Sequence, residues 1–193
     1  QRDHGAKSST VAAQTDFVFQ AVSMPVLSPA TVQDYVDLGL LGFAMSRFAG
    51  LWVAMKAVTD TVESAGIVDV SSDRLHIVLP EDFEAPAGGL SLRWPEEAFL
   101  KLEERLSRYK VPAALAFARA NRLDRNVFGR PDGEPARLGI VSSGKSWLDV
   151  MQALADLGID EAAARALGIR VMKVAMPWPL EPDAMRAFAE GCD

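Results

Sequence analysis

An α/β protein built on a parallel sheet is what this sequence predicts, and three observations predict it. Segments of helical period and short apolar runs alternate over the first 60 residues, the same alternation returns after residue 135, and a stretch rich in Pro, Gly and acids lies between. Helix, strand, helix, strand in that order implies a right-handed crossover between parallel neighbours. At 193 residues, 49% hydrophobic and 24% charged, the chain has the composition of an ordinary globular protein with a buried core.

The first helix is expected over about residues 9–22, with Val11, Thr15, Val18 and Val22 on one stripe. Residues 24–27 read as a short apolar strand. Ser28 and Pro29 then read as a helix start, serine at the cap and proline at the first helical position, and Val32, Val36, Leu40 and Phe43 continue the period. Gly39 and Gly42 within it read as close packing against a sheet. Residues 51–58, bounded by Gly50 and Thr59, are a continuous apolar run expected to form a strand covered on both faces. The apolar stretch 38–55 is not read as a membrane span, because Arg47 at mid-bilayer would cost roughly 2.5–3.5 kcal/mol.

Residues 69–73 and 81–89 mark a domain boundary on either side of a short strand expected at 75–79. Pro95 opens a charged helix with Phe99, Leu102, Leu106 and Tyr109 on one face and with Glu97–Lys101 and Glu104–Arg108 as i,i+4 pairs. Pro112 is expected to break it, a second helix runs to about Leu123, and 129–135 is a loop. Next come a strand at 138–141, a helix at about 146–157 burying Trp147, Val150, Met151, Leu154 and Leu157, and a short helix near 161–167. A strand at 169–175 and a last helix from Pro182 complete a second small parallel α/β unit. The expected organisation is therefore 1–70, a connector of strand, loop and helices at 71–134, and 135–193.

The net charge of −6 argues against a nucleic-acid partner, and Arg119, Arg122 and Arg125, alternating with Asn121 and Asp124, read as the solvated face of a helix end. Cys192 is the one cysteine, which excludes a disulfide framework and any self-contained iron–sulfur or cysteine-based zinc site, and suggests a reducing compartment. The polar opening, with Gln1 in first place, reads as free of a secretory signal and predicts that upstream sequence has been removed.

The most informative local pattern is Asp3-His4-Gly5-Ala6-Lys7-Ser8-Ser9-Thr10, a charged, glycine-bearing loop running into a helix. Ser8, Ser9 or Thr10 can cap that helix, whose free N–H groups together with Lys7 suit an anion. For His4, a ligand loop and a terminal tail both remain open readings. Gly139-Ile140-Val141-Ser142-Ser143-Gly144-Lys145-Ser146 satisfies the spacing of a phosphate-binding P-loop, which makes a nucleotide-binding enzyme the alternative functional class. However, Ile140 and Val141 must themselves supply the strand, so a short strand-to-helix turn capped by Ser142 or Ser143 is the better account. His76 reads as a strand residue. Asp60-Thr61-Val62-Glu63-Ser64 follows a strand end, where open α/β sheets bind ligands, and reads equally as a capped turn. Neither a Ser-His-Asp order nor a metal-ligand spacing is present. A non-catalytic assembly module is the third class.

Five segments carry a resemblance. They are the opening motif; Pro25-Val26-Leu27 with Val32-Gln33-Asp34-Tyr35; Ala44-Met45-Ser46-Arg47; Lys56-Ala57-Val58-Thr59-Asp60-Thr61-Val62-Glu63-Ser64; and Pro177-Trp178-Pro179-Leu180-Glu181-Pro182. Together they resemble indolepyruvate ferredoxin oxidoreductase, in its fused-subunit form, over nearly the whole chain. Arg2 departs from the acid that related proteins carry there. The resemblance implies a thiamine diphosphate enzyme that oxidatively decarboxylates aryl 2-oxoacids with coenzyme A to an acyl-CoA, passing electrons through iron–sulfur clusters to ferredoxin. It implies that 1–70 is the C-terminal part of a pyrimidine-binding domain, a parallel-sheet remnant, and that 135–193 resembles the C-terminal domain of transketolase. It further implies a cytoplasmic homo-oligomer without membrane or nucleic-acid partners, in contact with the remaining domains of the same enzyme.

The cofactor-binding candidates on this mapping are Asp3, His4, Gly5, Lys7, Ser8 and Ser9, with no catalytic or metal-ligating residue. The family's activating glutamate is expected before Gln1 and its Gly-Asp-Gly metal-diphosphate motif after Asp193. This chain alone is therefore expected to hold no cofactor tightly and to be inactive.

Overall fold

Two short strands joined by a long helix form the first unit of the computed structural model, which describes residues 15–192. After α1 (Asp16–Ala21), β1 (Val26–Leu27) leads through α2 (Val32–Ala49) to β2 (Ala54–Met55), which lies parallel to β1 with Val26 opposite Ala54. The parallel crossover is as the element order predicts, but the helix starts later than Ser28 and Pro29 suggest. Thr31 is extended and its hydroxyl accepts from the Asp34 N–H, while the Asp34 carboxylate accepts from the Thr31 N–H, a reciprocal capping box that fixes the start.

Helix α2 ends at Gly50, whose φ of +65° and carbonyl neighbour admit no side chain: a Cβ there would lie 2.5 Å from the Leu90 oxygen. Its buried residues are Leu38, Leu41, Gly42, Met45 and Ala49, whereas Leu40 and Phe43 point outward. Gly42 brings the helix onto β1, since a Cβ there would already sit 3.0 Å from Leu27 Cδ1. The strand expected over 51–58 is only two residues long and is not covered on both faces, with Trp52 82% exposed. A short helix, α3 (Thr59–Val62), follows.

Residues 75–79 form no strand. The Asn121 side chain takes the place of a neighbouring strand at Val78, donating to its carbonyl at 2.8 Å and accepting from its N–H at 2.9 Å. Pro112 does not break the helix before it. Instead α4 (Leu100–Arg105) widens into a π-helical turn (Leu106–Lys110) and continues as α5 (Val111–Ala120), the wide turn absorbing the ring and missing donor of proline. Phe99 is exposed rather than part of the buried face.

The second sheet has the order β3–β5–β4, from β3 (Arg125–Gly129), β4 (Leu138–Ser143) and β5 (Ile169–Val174). β4 and β5 are parallel, as predicted, but β3 is antiparallel to β5, so this unit is mixed rather than purely parallel. α6 (Lys145–Asp156) and α7 (Glu161–Leu167) pack on one side, with Trp147, Val150, Met151 and Leu154 turned toward Val171, while Leu157 is exposed. On the other side, α8 (Pro182–Ala189) sets Phe188 against Met172 and Val174.

One core joins the parts. Leu27, Leu41 and Met45 from the first unit, Ala114, Phe117 and Leu123 from the connector, and Ala175 and Met176 from the second unit form a single buried cluster. Among the described residues no helix is long and apolar enough to cross a membrane.

A candidate site at the seam between the sheets

The carboxyl ends of parallel strands are where open α/β folds place ligands, and here two of them meet. The segment after β5 lies beside β1, with Val26 N–H donating to the Trp178 carbonyl at 2.7 Å and Ser28 N–H to the Ala175 carbonyl at 2.8 Å. At the end of β4, Gly144 approaches Ser28 so closely that a Cβ would lie 2.6 Å from its hydroxyl.

Lys173 on β5 reaches across this seam to Asp34 at the start of α2, 2.6 Å away, with side chains 11% and 19% exposed. The same ammonium stands 4.4 Å from the centre of the Trp147 ring, a cation–π contact. Asp34 Oδ2 also accepts from the N–H groups of Ala30 and Thr31, so one carboxylate caps the helix and ties the two units together. Beside it, the Ser143 hydroxyl and the Trp147 indole N–H are buried without hydrogen-bond partners among the described residues.

On the far side of the 175–178 segment, Asp124 is buried and its Oδ1 accepts from the N–H groups of Ala175 and Met176 at 2.8 and 2.9 Å. Burial pushes its pKa from 3.8 up to about 6; the Met176 and Ala175 amides pull it back and the nearby Glu181 charge adds to the rise. Asp124 can thus exchange a proton not far below neutral pH. Glu181 is 1% exposed; it caps α8 through the Ala184 N–H at 2.6 Å and accepts from Arg119 at 3.1 Å. Arg119 also binds Asp82 at 2.6 Å and Asp183 at 3.4 Å. Arg119 therefore pairs with three carboxylates, Asp82 within the connector and Glu181 and Asp183 in the second unit, and is not simply a solvated charge. A cleft of about 250 Å³ opens beside these residues, with Arg122, Arg125 and Asn126 on its wall.

Of the sequence-predicted site residues, Asp3, His4, Gly5, Lys7, Ser8 and Ser9 all lie outside the described residues. Residues 60–64 form a turn tied inward: the buried Thr61 hydroxyl bonds the Val58 carbonyl and the Tyr35 hydroxyl, and Ser64 bonds the Thr61 carbonyl. His76 is exposed and not on a strand. In the P-loop pattern, the first five residues are all part of β4, and Lys145 is paired with Asp149 at 2.6 Å. Gly139 serves packing instead, since a Cβ there would lie 2.9 Å from Phe188. The backbone thus forms no phosphate-wrapping loop there, and the cap of α6 is Gly144 rather than either serine.

Sequence reasoning missed Asp34, Lys173, Asp124, Glu181 and Arg119. The Thr31-x-x-Asp34 spacing was the readable signal for one of them. Among the described residues no group of three or more His, Cys, Asp or Glu side chains is placed to hold a metal ion.

With this geometry, the chain shares its fold with 2-oxoacid:ferredoxin oxidoreductases. A solved 2-oxoglutarate:ferredoxin oxidoreductase from Magnetococcus marinus, with 2-oxoglutarate, coenzyme A and succinyl-CoA bound, matches 88% of this chain and 34% of its own at a TM-score of 0.51 and 17% identity. Residues 125–193 match the family model of the indolepyruvate oxidoreductase domain. Indolepyruvate oxidoreductase subunit IorA of Pyrococcus horikoshii is 25% identical over 183 residues, covering 93% of this chain and 26% of that protein. The chain is thus similar to indolepyruvate oxidoreductases, most specifically over residues 125–193. The chain spans about a quarter of the length of this curated relative.

Proposed function

We propose that this chain is an internal segment of a thiamine diphosphate-dependent 2-oxoacid:ferredoxin oxidoreductase of indolepyruvate type, which converts an aryl 2-oxoacid and coenzyme A to an acyl-CoA. The observation that carries the reading is the family-model match over residues 125–193, backed by the curated relative along 93% of the chain. Residues 1–70 would be the end of a pyrimidine-binding domain, 71–134 a connector, and 135–193 a transketolase C-terminal-like domain. Thiamine diphosphate supplies the electron sink for decarboxylation, with iron–sulfur clusters and ferredoxin as the electron path. Its seat belongs to other parts of the enzyme, and the chain alone is inactive. The enzyme is a cytoplasmic homo-oligomer.

Asp3, His4, Gly5, Lys7, Ser8 and Ser9 contact substrate or cofactor across a domain interface, with Lys7 or the following helix N-terminus holding a carboxylate or phosphate. The seam supports this reading in a structural way, because the Asp34–Lys173 pair braces the first and last units against each other. In the full-length enzyme, Lys7→Ala is expected to raise KM for the oxoacid or coenzyme A, or to lower kcat; unchanged kinetics discard the role. Titrating the 193-residue chain with magnesium thiamine diphosphate is expected to give no tight binding, and turnover by the chain alone overturns the reading.

A further inference from the structure

A hollow of about 370 Å³, within the size range of small-molecule sites, lies between the end of α2, residues 22–24 and the π-helical turn. Val22, Met24, Leu51, Trp52, Leu92 and Leu106 make its apolar walls, and Lys110 enters from the last position of the turn. Wide turns of this kind recur at functional sites. The Lys110 ammonium donates to the Gly50 carbonyl at 3.0 Å, and among the described residues no carboxylate lies within ion-pair distance of it. An ammonium has three donors, so two remain. Partial burial, with the nearby Arg105 charge, lowers the Lys110 pKa.

No acid lines the hollow. Lys110 is the one charged residue among those lining it, which makes a monoanion the matching charge. Trp52 belongs to the lining and is 82% exposed, an indole at the rim available to cover a flat body. We infer that this hollow binds a small monocarboxylate carried on an apolar, preferably aromatic, body, with Lys110 taking the carboxylate and Trp52 covering the body. The inference is independent of the oxidoreductase reading and needs no turnover.

Phenylacetate is the probe, titrated calorimetrically into the 193-residue chain beside phenylacetamide, which keeps the body without the charge, and acetate, which keeps the charge without the body. Saturable phenylacetate binding at roughly millimolar ligand or below, at least tenfold tighter than either control, supports the site. Lys110→Gln should weaken phenylacetate at least tenfold, and Trp52→Ala, at an exposed position, severalfold. Equal binding of phenylacetamide, no saturation by phenylacetate, or unchanged affinity in Trp52→Ala overturns it. The comparison of the three probes on the unaltered chain decides the matter even if Lys110→Gln does not fold.

Discussion

Asp124 is the residue at which charge and fold are most tightly linked. Its carboxylate organises the start of the 175–181 segment by accepting two backbone N–H groups, yet burial holds its pKa at about 6. A folded-state pKa above the unfolded value means that the native state binds the proton more tightly. This group's contribution is therefore fully present below about pH 4 and is lost as pH rises through 6, by about 3 kcal/mol at most. Asp124→Asn keeps an acceptor for Ala175 and Met176 but cannot titrate. Urea unfolding at a series of pH values should show the wild type losing stability relative to the variant between pH 4 and 7, with a constant difference above that. A pH-independent difference rejects the linkage. Nothing local in the sequence announces Asp124, which sits among three arginines and reads as one more surface charge until the 175–176 backbone is brought to it.

Among the elements, the legible ones are those whose ends carry their own chemistry. Helix α7 runs from Glu161 to Leu167, as expected, because Asp160 caps it and Gly168 ends it, and α8 starts at Pro182. β3 was not legible: its residues, Arg-Asn-Val-Phe-Gly, lie on a sheet edge with no alternation of apolar and polar positions. The apolar run 51–58 misled for the opposite reason, since hydrophobicity there includes an outward-facing Trp52. The six residues of the opening motif were legible as a pattern, but their placement lies outside the described residues. The start of α2 is where element and site coincide. Asp34 caps the helix and pairs with the nearly buried Lys173, so Asp34→Ala removes the cap and leaves an unpaired ammonium, at a cost of about 3–5 kcal/mol. Asp34→Asn keeps the cap acceptor and should lose less, as should Lys173→Met, whose orphaned Asp34 carboxylate keeps the Ala30 and Thr31 N–H groups. Denaturant midpoints rank the three; equal losses would mean that the pair does not couple α2 to β5.

At the level of the molecule, the sequence suggests separable units at 1–70 and 135–193, but the physical connections run through one interior. Phe117, fully buried, packs in the same cluster as Leu27 and Met176, the 175–178 segment borders β1, and Arg119 ties α5 to Asp82 and to Glu181. Cutting the chain between these parts exposes apolar surface on both sides and strands buried polar groups, so neither side gains a complete core. The described residues are therefore expected to unfold as one cooperative body, with calorimetric and van't Hoff enthalpies that agree. Residues 125–193 alone keep the second sheet but lack Asp124 and the surfaces that cover Ala175 and Met176. That piece should give no sharp transition, and its 175–176 amides should exchange with solvent far faster than in the whole chain. Two separate heat-capacity peaks for the whole chain, or native-like protection in the isolated piece, would mean that the seam joins two independent domains rather than completing a single one.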